Sequence, residues 1–247
     1  MTDGLLLLHA FPLDAWMWEP QTTALRDAVT VVAPDLPGFG GAPPAGEVLL
    51  MGTAAEAAAS ALDETGVDRA VVCGLSMGGY VALAFWRQYR DRVLGLVLAN
   101  TRAGSDDDAG KQRRRALAER LLAEGNEFLA ESPPPLLSEA SPPDLWARVQ
   151  DNIRKQPAEA IAAASLGMAE RPDSTDDLPG IDVPTLVITS TGDTLIPQEA
   201  TSPMAEQVPG ARLEVIDGAG HLSNLEAPDE FNRLLREHLA RCGVAGT

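Results

Sequence analysis

Basic charge, cysteine and histidine are all scarce in this sequence. Lysine and arginine together number 19 against 36 aspartates and glutamates, a formal net charge of −17. A surface of that sign repels phosphate backbones and anionic membranes, so neither nucleic acid nor a membrane is expected as a partner. The one basic run, residues 111–115 (KQRRR), follows three aspartates at 106–108 and opens an alanine-, leucine- and glutamate-rich helical pattern. It reads as a solvated helix face. The two cysteines, Cys73 and Cys242, are too few for a disulfide framework and read as free thiols. The three histidines, His9, His221 and His238, show no i,i+4 pairing and no cysteine at ligand spacing, so no metal site is expected. No apolar run reaches membrane-spanning length, and the opening MTDGLLLLHAFPLD carries an acid where a signal peptide carries a base. A soluble, cytoplasmic protein is the expectation. In APDLPGFGG the glycines fall at 38, 40 and 41, with Pro43 where a third fingerprint glycine would stand, so no dinucleotide cofactor is expected.

What is present is a regular alternation. Apolar, β-rich runs at 5–8, 29–34, 70–74, 94–100, 185–190 and 212–217 are separated by helical patterns at 17–27, 53–65, 77–90, 198–207 and 228–240. Continuous apolar strands between helices predict an α/β domain with a mostly parallel sheet covered on both faces. The alternation stops between 102 and 180, where helical stretches at 110–130, 143–155 and 157–169 are broken by SPPPLLSEASPP at 132–143. This predicts a core of residues 1–101 and 181–247 with a helical cap inserted at 102–180, over the strand ends where open sheets bind ligands.

Within VVCGLSMGGY, Ser76 lies between Gly74 and Gly78, after a strand and before a helix. A nucleophile on such a tight turn leaves no room for side chains two positions away on either side. A serine hydroxyl needs a base and an orienting carboxylate. Downstream, His221 lies in the glycine-rich loop after the last strand, whereas His238 lies inside the last helix and reads as a partly exposed helical residue. His221 is the candidate base. Asp193, just past the end of the 185–190 strand, is the candidate acid, with Asp106, Asp107 and Asp108 as the alternative carboxylates. Backbone N–H donors for an oxyanion would come from Met77 and from Phe11 in the loop after the first strand. His9 reads as holding that loop by hydrogen bonds, and Asp35 as tying a turn. Phe11, Leu195, Leu222 and, from the cap, Trp146 are candidate substrate contacts.

Together the segments HAFPLDAWMW, APDLPGFGGA, CGLSMGGYVAL, GDTLIP and GAGHLSNLEAPDEF resemble the α/β-hydrolase superfamily over nearly the whole chain, most closely small carboxylesterases and 3-oxoadipate enol-lactonase-like enzymes. The resemblance implies a serine hydrolase of esters or lactones with small to medium acyl groups, acting through Ser76, His221 and Asp193 without a cofactor. It leaves open an acyltransferase or cofactor-free perhydrolase or haloperoxidase on the same residues, and a ligand-binding homologue. This chain departs from the pattern in two places. Ala10 stands where the family usually has glycine, which would add strain if that position needs positive φ. The family's opening antiparallel pair of strands reads as reduced or absent, which would leave the 29–34 strand as a sheet edge to be covered or paired with a second copy in a homodimer.

Overall fold

Six apolar runs become six strands in the computed structural model, which describes residues 1–244: β1 (Asp3–Leu8), β2 (Thr30–Val32), β3 (Arg69–Leu75), β4 (Val93–Ala99), β5 (Thr185–Ser190) and β6 (Arg212–Ile216). They form one sheet in the order β2-β1-β3-β4-β5-β6, and every neighbouring pair is parallel. No antiparallel strand is present among the described residues, and β2 is an edge strand, as expected from the sequence. It is shorter than its apolar run because only Thr30, Val31 and Val32 are in register with β1. Burial follows position: β1, β3, β4 and β5 are buried nearly throughout, whereas β6, at the other edge, alternates with Leu213 and Val215 exposed. The central runs are continuous because both faces of those strands are covered.

The covering helices are α1 (Glu19–Leu25), α2 (Met51–Glu64) and α3 (Met77–Gln88) in the first half of the chain. Between β4 and β5 lie α4 (Asp108–Glu124), α5 (Glu127–Glu131), α6 (Pro143–Lys155) and α7 (Ala158–Ala169), with no strand among them. The chain closes with α8 (Gln198–Thr201), α9 (Pro203–Gln207), α10 (Ser223–Glu226) and α11 (Pro228–Arg241). α2 packs on α3, α1 on α11, and α4 on α7. The sequence predicts one helix over 110–130 and one over 198–207. The first breaks at Gly125, which adopts φ +79°, and the second divides before Pro203, which cannot donate its backbone nitrogen. Among the described residues no helix is long and apolar enough to cross a membrane.

The strand order places the site. From β1 the chain runs outward to β2 on one side, then returns to β3 on the other, so the connections leave β1 and β3 in opposite directions. A crevice opens at the carboxyl ends of two strands whose connections diverge in this way. Phe11 follows β1 and Ser76 follows β3.

His238 is fully buried, not the partly exposed helical residue expected from the sequence, because α11 closes on Gly95 of β4 with His238 and Cys242 at the contact. Burial pushes its imidazole down, helped by the charges of Arg212 and Arg241, to about 4 from the ordinary 6.5. The unfolded chain therefore binds a proton across that window that the fold excludes. Stability from this residue is complete above the window and falls as pH drops through it, by up to about 1.4 kcal/mol per pH unit. Urea unfolding from pH 7 to 4 should show a shallower decline for His238→Gln than for the native chain.

Candidate active site

Ser76 sits between β3 and α3 with φ 56° and ψ −115°, one of two non-glycine residues with positive φ among the described residues. Such a conformation persists only when its surroundings enforce it. Two glycines allow the close approach: a Cβ on Gly74 would run into the Gly78 carbonyl, and one on Gly78 into the Leu8 carbonyl of β1. The end of β4 clamps the serine backbone from the other side. Ser76 N–H donates to the Ala99 carbonyl at 3.0 Å, and the Thr101 hydroxyl donates to the Ser76 carbonyl at 2.8 Å.

Asp193 and His221 come from separate loops after β5 and β6 and meet in the interior. His221 Nδ1 donates to Asp193 Oδ2 at 2.8 Å, and Asn100 Nδ2 donates to the same oxygen at 3.0 Å. Asp193 Oδ1 accepts the N–H groups of Leu195 and Ile196, each at 2.9 Å. Burial would raise the Asp193 carboxyl, but the hydrogen bond and charge of His221, with the Ile196 and Asn100 donors, outweigh it and hold it below the usual carboxylate range. An ionised Asp193 only accepts, so the Nδ1 proton is committed to it and Nε2 of His221 carries the lone pair. That Nε2 is buried and has no hydrogen-bond partner among the described residues.

Asn100, the second residue with positive φ, was not foreseen in a functional role; the sequence places it at the end of a strand. It leaves the strand at φ 44°, a conformation asparagine tolerates. Besides Asp193 it donates to Ser190 Oγ at 2.7 Å and accepts from Ser223 Oγ at 2.6 Å, and Ser190 in turn donates to the Gly220 carbonyl at 2.6 Å. The acid loop and the histidine loop are thereby fastened to β4. Glu226 was also not foreseen. It accepts from Gly220 N–H at 2.8 Å and from Ser138 Oγ at 2.6 Å, and so joins the histidine loop to the proline-broken segment.

The loop after β1 is held as the sequence suggests. Leu36 N–H donates to His9 Nε2 at 2.9 Å, so the His9 proton lies on Nδ1, facing the Ala10 carbonyl. Burial keeps this imidazole low and neutral. Asp35 accepts from Ala15 N–H at 2.9 Å and from Gly41 N–H at 3.0 Å, tying the turn. Ala10 does not have positive φ, so no strain attaches to the missing glycine. The N–H groups of Phe11 and Met77 have no hydrogen-bond partner among the described residues.

Ser76, which is 8% exposed, opens on a cavity of about 370 Å³ together with Phe11, Tyr80, Leu195, Ile196 and, from the helical segment, Leu117 and Met168. Two expected contacts lie elsewhere. Leu222 is fully buried, its N–H donating to the Leu136 carbonyl, and Trp146 on α6 does not line this cavity. Asp106 is held by Arg102, Arg114 and Arg171, and Asp107 caps α4 through the Gly110 N–H at 2.7 Å, so neither is bonded to His221. Arg113 and Arg114 line the cavity, so the 111–115 run is not simply a solvated face.

Residues 5–234 match the model of the alpha/beta hydrolase family. The chain belongs to this family. It is 42% identical to a thermophilic esterase from Thermogutta terrifontis solved with malate bound, with a TM-score of 0.93 over 98% of this chain and 90% of that one. It is 30% identical to a pimeloyl-[acyl-carrier protein] methyl ester esterase of Aromatoleum aromaticum, over 94% of this chain and 96% of that protein. A 3-oxoadipate enol-lactonase of Acinetobacter baylyi is 29% identical over 92% of this chain and 85% of its own length.

Asn100→Gly keeps the backbone conformation accessible and deletes three buried hydrogen bonds. It should destabilise the protein by about 3 kcal/mol, measured by urea unfolding, because Asp193, Ser190 and Ser223 each lose a partner.

Proposed function

We propose that this protein is a serine hydrolase of carboxylic esters or lactones with small to medium acyl groups. Residues 1–101 and 181–247, the last three of which lie outside the described residues, are assigned to its catalytic core, and 102–180 to a cap that contributes part of the pocket. The observation that carries this reading is the Asp193–His221 hydrogen bond, which fixes the imidazole tautomer and leaves a buried, unpartnered Nε2 as a base. Ser76, on its strained turn, is the nucleophile. Its hydroxyl adds to the substrate carbonyl as His221 Nε2 takes the proton, and the oxygen that becomes negative is met by the free N–H groups of Phe11 and Met77. His221 then passes the proton to the leaving alcohol, and the carbonyl remains as an ester on Ser76. Water, deprotonated by the same imidazole, adds to this ester and releases the acid and the serine. The named esterases and lactonase among the relatives support the same chemistry.

The test is release of nitrophenol from 4-nitrophenyl esters, acetate through octanoate. Ser76→Ala should lower turnover by at least about 10³-fold, and Asp193→Asn by about 10⁴-fold because it removes the acceptor that fixes the tautomer. Equal turnover by Ser76→Ala and the native chain would refute the reading. Asp193 is held below the usual carboxylate range, so it stays ionised and keeps its hold on the His221 Nδ1 proton throughout the neutral range of the assay.

A further inference from the structure

The cavity at Ser76 concentrates positive charge in a chain whose formal net charge is −17. Arg102, Arg113 and Arg114 line it, and among the described residues Asp106 is the one carboxylate that does. That carboxylate is already fully engaged. It accepts from Arg102 and Arg114, and from Arg171 at 2.8 Å and 3.2 Å. Arg171 in turn lies 4.2 Å over the ring of Tyr80, another residue of the cavity wall. Burial alone would raise the Asp106 carboxyl, but Arg171 and Arg114 outweigh it and keep it ionised, so it counts as one full negative charge. Three guanidiniums thus hold one carboxylate, and Arg113, which also lines the cavity, makes no hydrogen bond or ion pair among the described residues.

A surplus of one sign in a cleft with low-dielectric walls focuses its field on whatever enters. A guanidinium fork matches a carboxylate in two parallel hydrogen bonds, which an ammonium cannot do. A cavity of about 370 Å³ suits a small molecule, not a polymer. We propose that the cavity selects substrates carrying a free carboxylate, seated on Arg113 while the ester or lactone carbonyl lies at Ser76. The position of the carbonyl rests on the hydrolase reading above. The substrate class is then a half-ester, or a lactone with a second, ionised acid group. The Asp106 cluster forms the fixed positive wall behind it, and Arg113, on the exposed face of α4, supplies the free fork.

The experiment pairs turnover with binding. Mono-4-nitrophenyl glutarate and 4-nitrophenyl pentanoate have acyl chains of equal length that differ in the terminal carboxylate. 4-Carboxyphenyl pentanoate and phenyl pentanoate place the same difference on the alcohol side. The native enzyme should favour the charged member of one pair by about tenfold or more in kcat/KM, and the pair identifies which side of the ester faces Arg113. That ratio should collapse in Arg113→Gln, return in part in Arg113→Lys, and shrink with added salt. Calorimetry should show glutarate binding more tightly than glutaramide to the native protein but not to Arg113→Gln. Hydrolysis of neutral esters with no charge preference and no glutarate binding would overturn the carboxylate site and leave the hydrolase reading intact. A preference unchanged in Arg113→Gln would overturn the assignment to Arg113. Glutarate binding that depends on Arg113, without turnover of any ester, would uphold the site and overturn the hydrolase reading.

Discussion

The three residues that end β4 and follow it, Ala99, Asn100 and Thr101, hold the site together. Ala99 and Thr101 clamp the backbone of Ser76 on one side of the strand, and Asn100 anchors Asp193, Ser190 and Ser223 on the other. The Ser76 turn and the Asp193–His221 pair come from distant parts of the chain, yet both are referred to one corner. Parallel strands make this possible, because the carboxyl ends of β3, β4 and β5 lie side by side in the sheet. The positive φ of Asn100 turns its side chain out of the strand pattern and into the interior, where an isolated amide would be costly without its partners.

What was legible in the sequence was what is local. The strands declared themselves as apolar runs, and the central ones did so most clearly because both of their faces are covered. β2 and the ends of the other strands were less exact, since pairing partners, not composition, decide where a strand stops. The Ser76 turn was legible because its sterics involve residues two positions apart. Asp193 and His221 could be named from their places after strands. Asn100 and Glu226 could not, because nothing within a few residues of either announces a partner some 90 positions away. The pocket contacts were the weakest inference. Trp146 and Leu222 adjoin recognisable segments, but adjacency along a chain says little about which way a side chain faces.

The charge pattern carries a related lesson. Composition describes the surface as a whole and missed the reversal of sign inside the cleft. The basic run at 111–115 divides by helical phase: Arg115 pairs with Glu170 at the surface, whereas Arg114 turns inward to Asp106. Four consecutive residues of a helix point in four directions, so a run of like charge is seldom a single face.

Glu226 joins two things that enzyme families often vary independently. One arm of its carboxylate holds Gly220, next to the candidate base, and the other holds Ser138 and Ser141 in the segment that also places Pro134 in the cavity wall. The part of the molecule that shapes the pocket is therefore fastened to the part that positions the imidazole. Exchanging the segment between β4 and β5 for one from a relative is not a modular operation, since a graft without hydroxyls at these two places would release the histidine loop as well as reshape the cleft. Change in what this scaffold accepts is channelled toward side chains on α4 and α7, which reach the cavity without touching that tether.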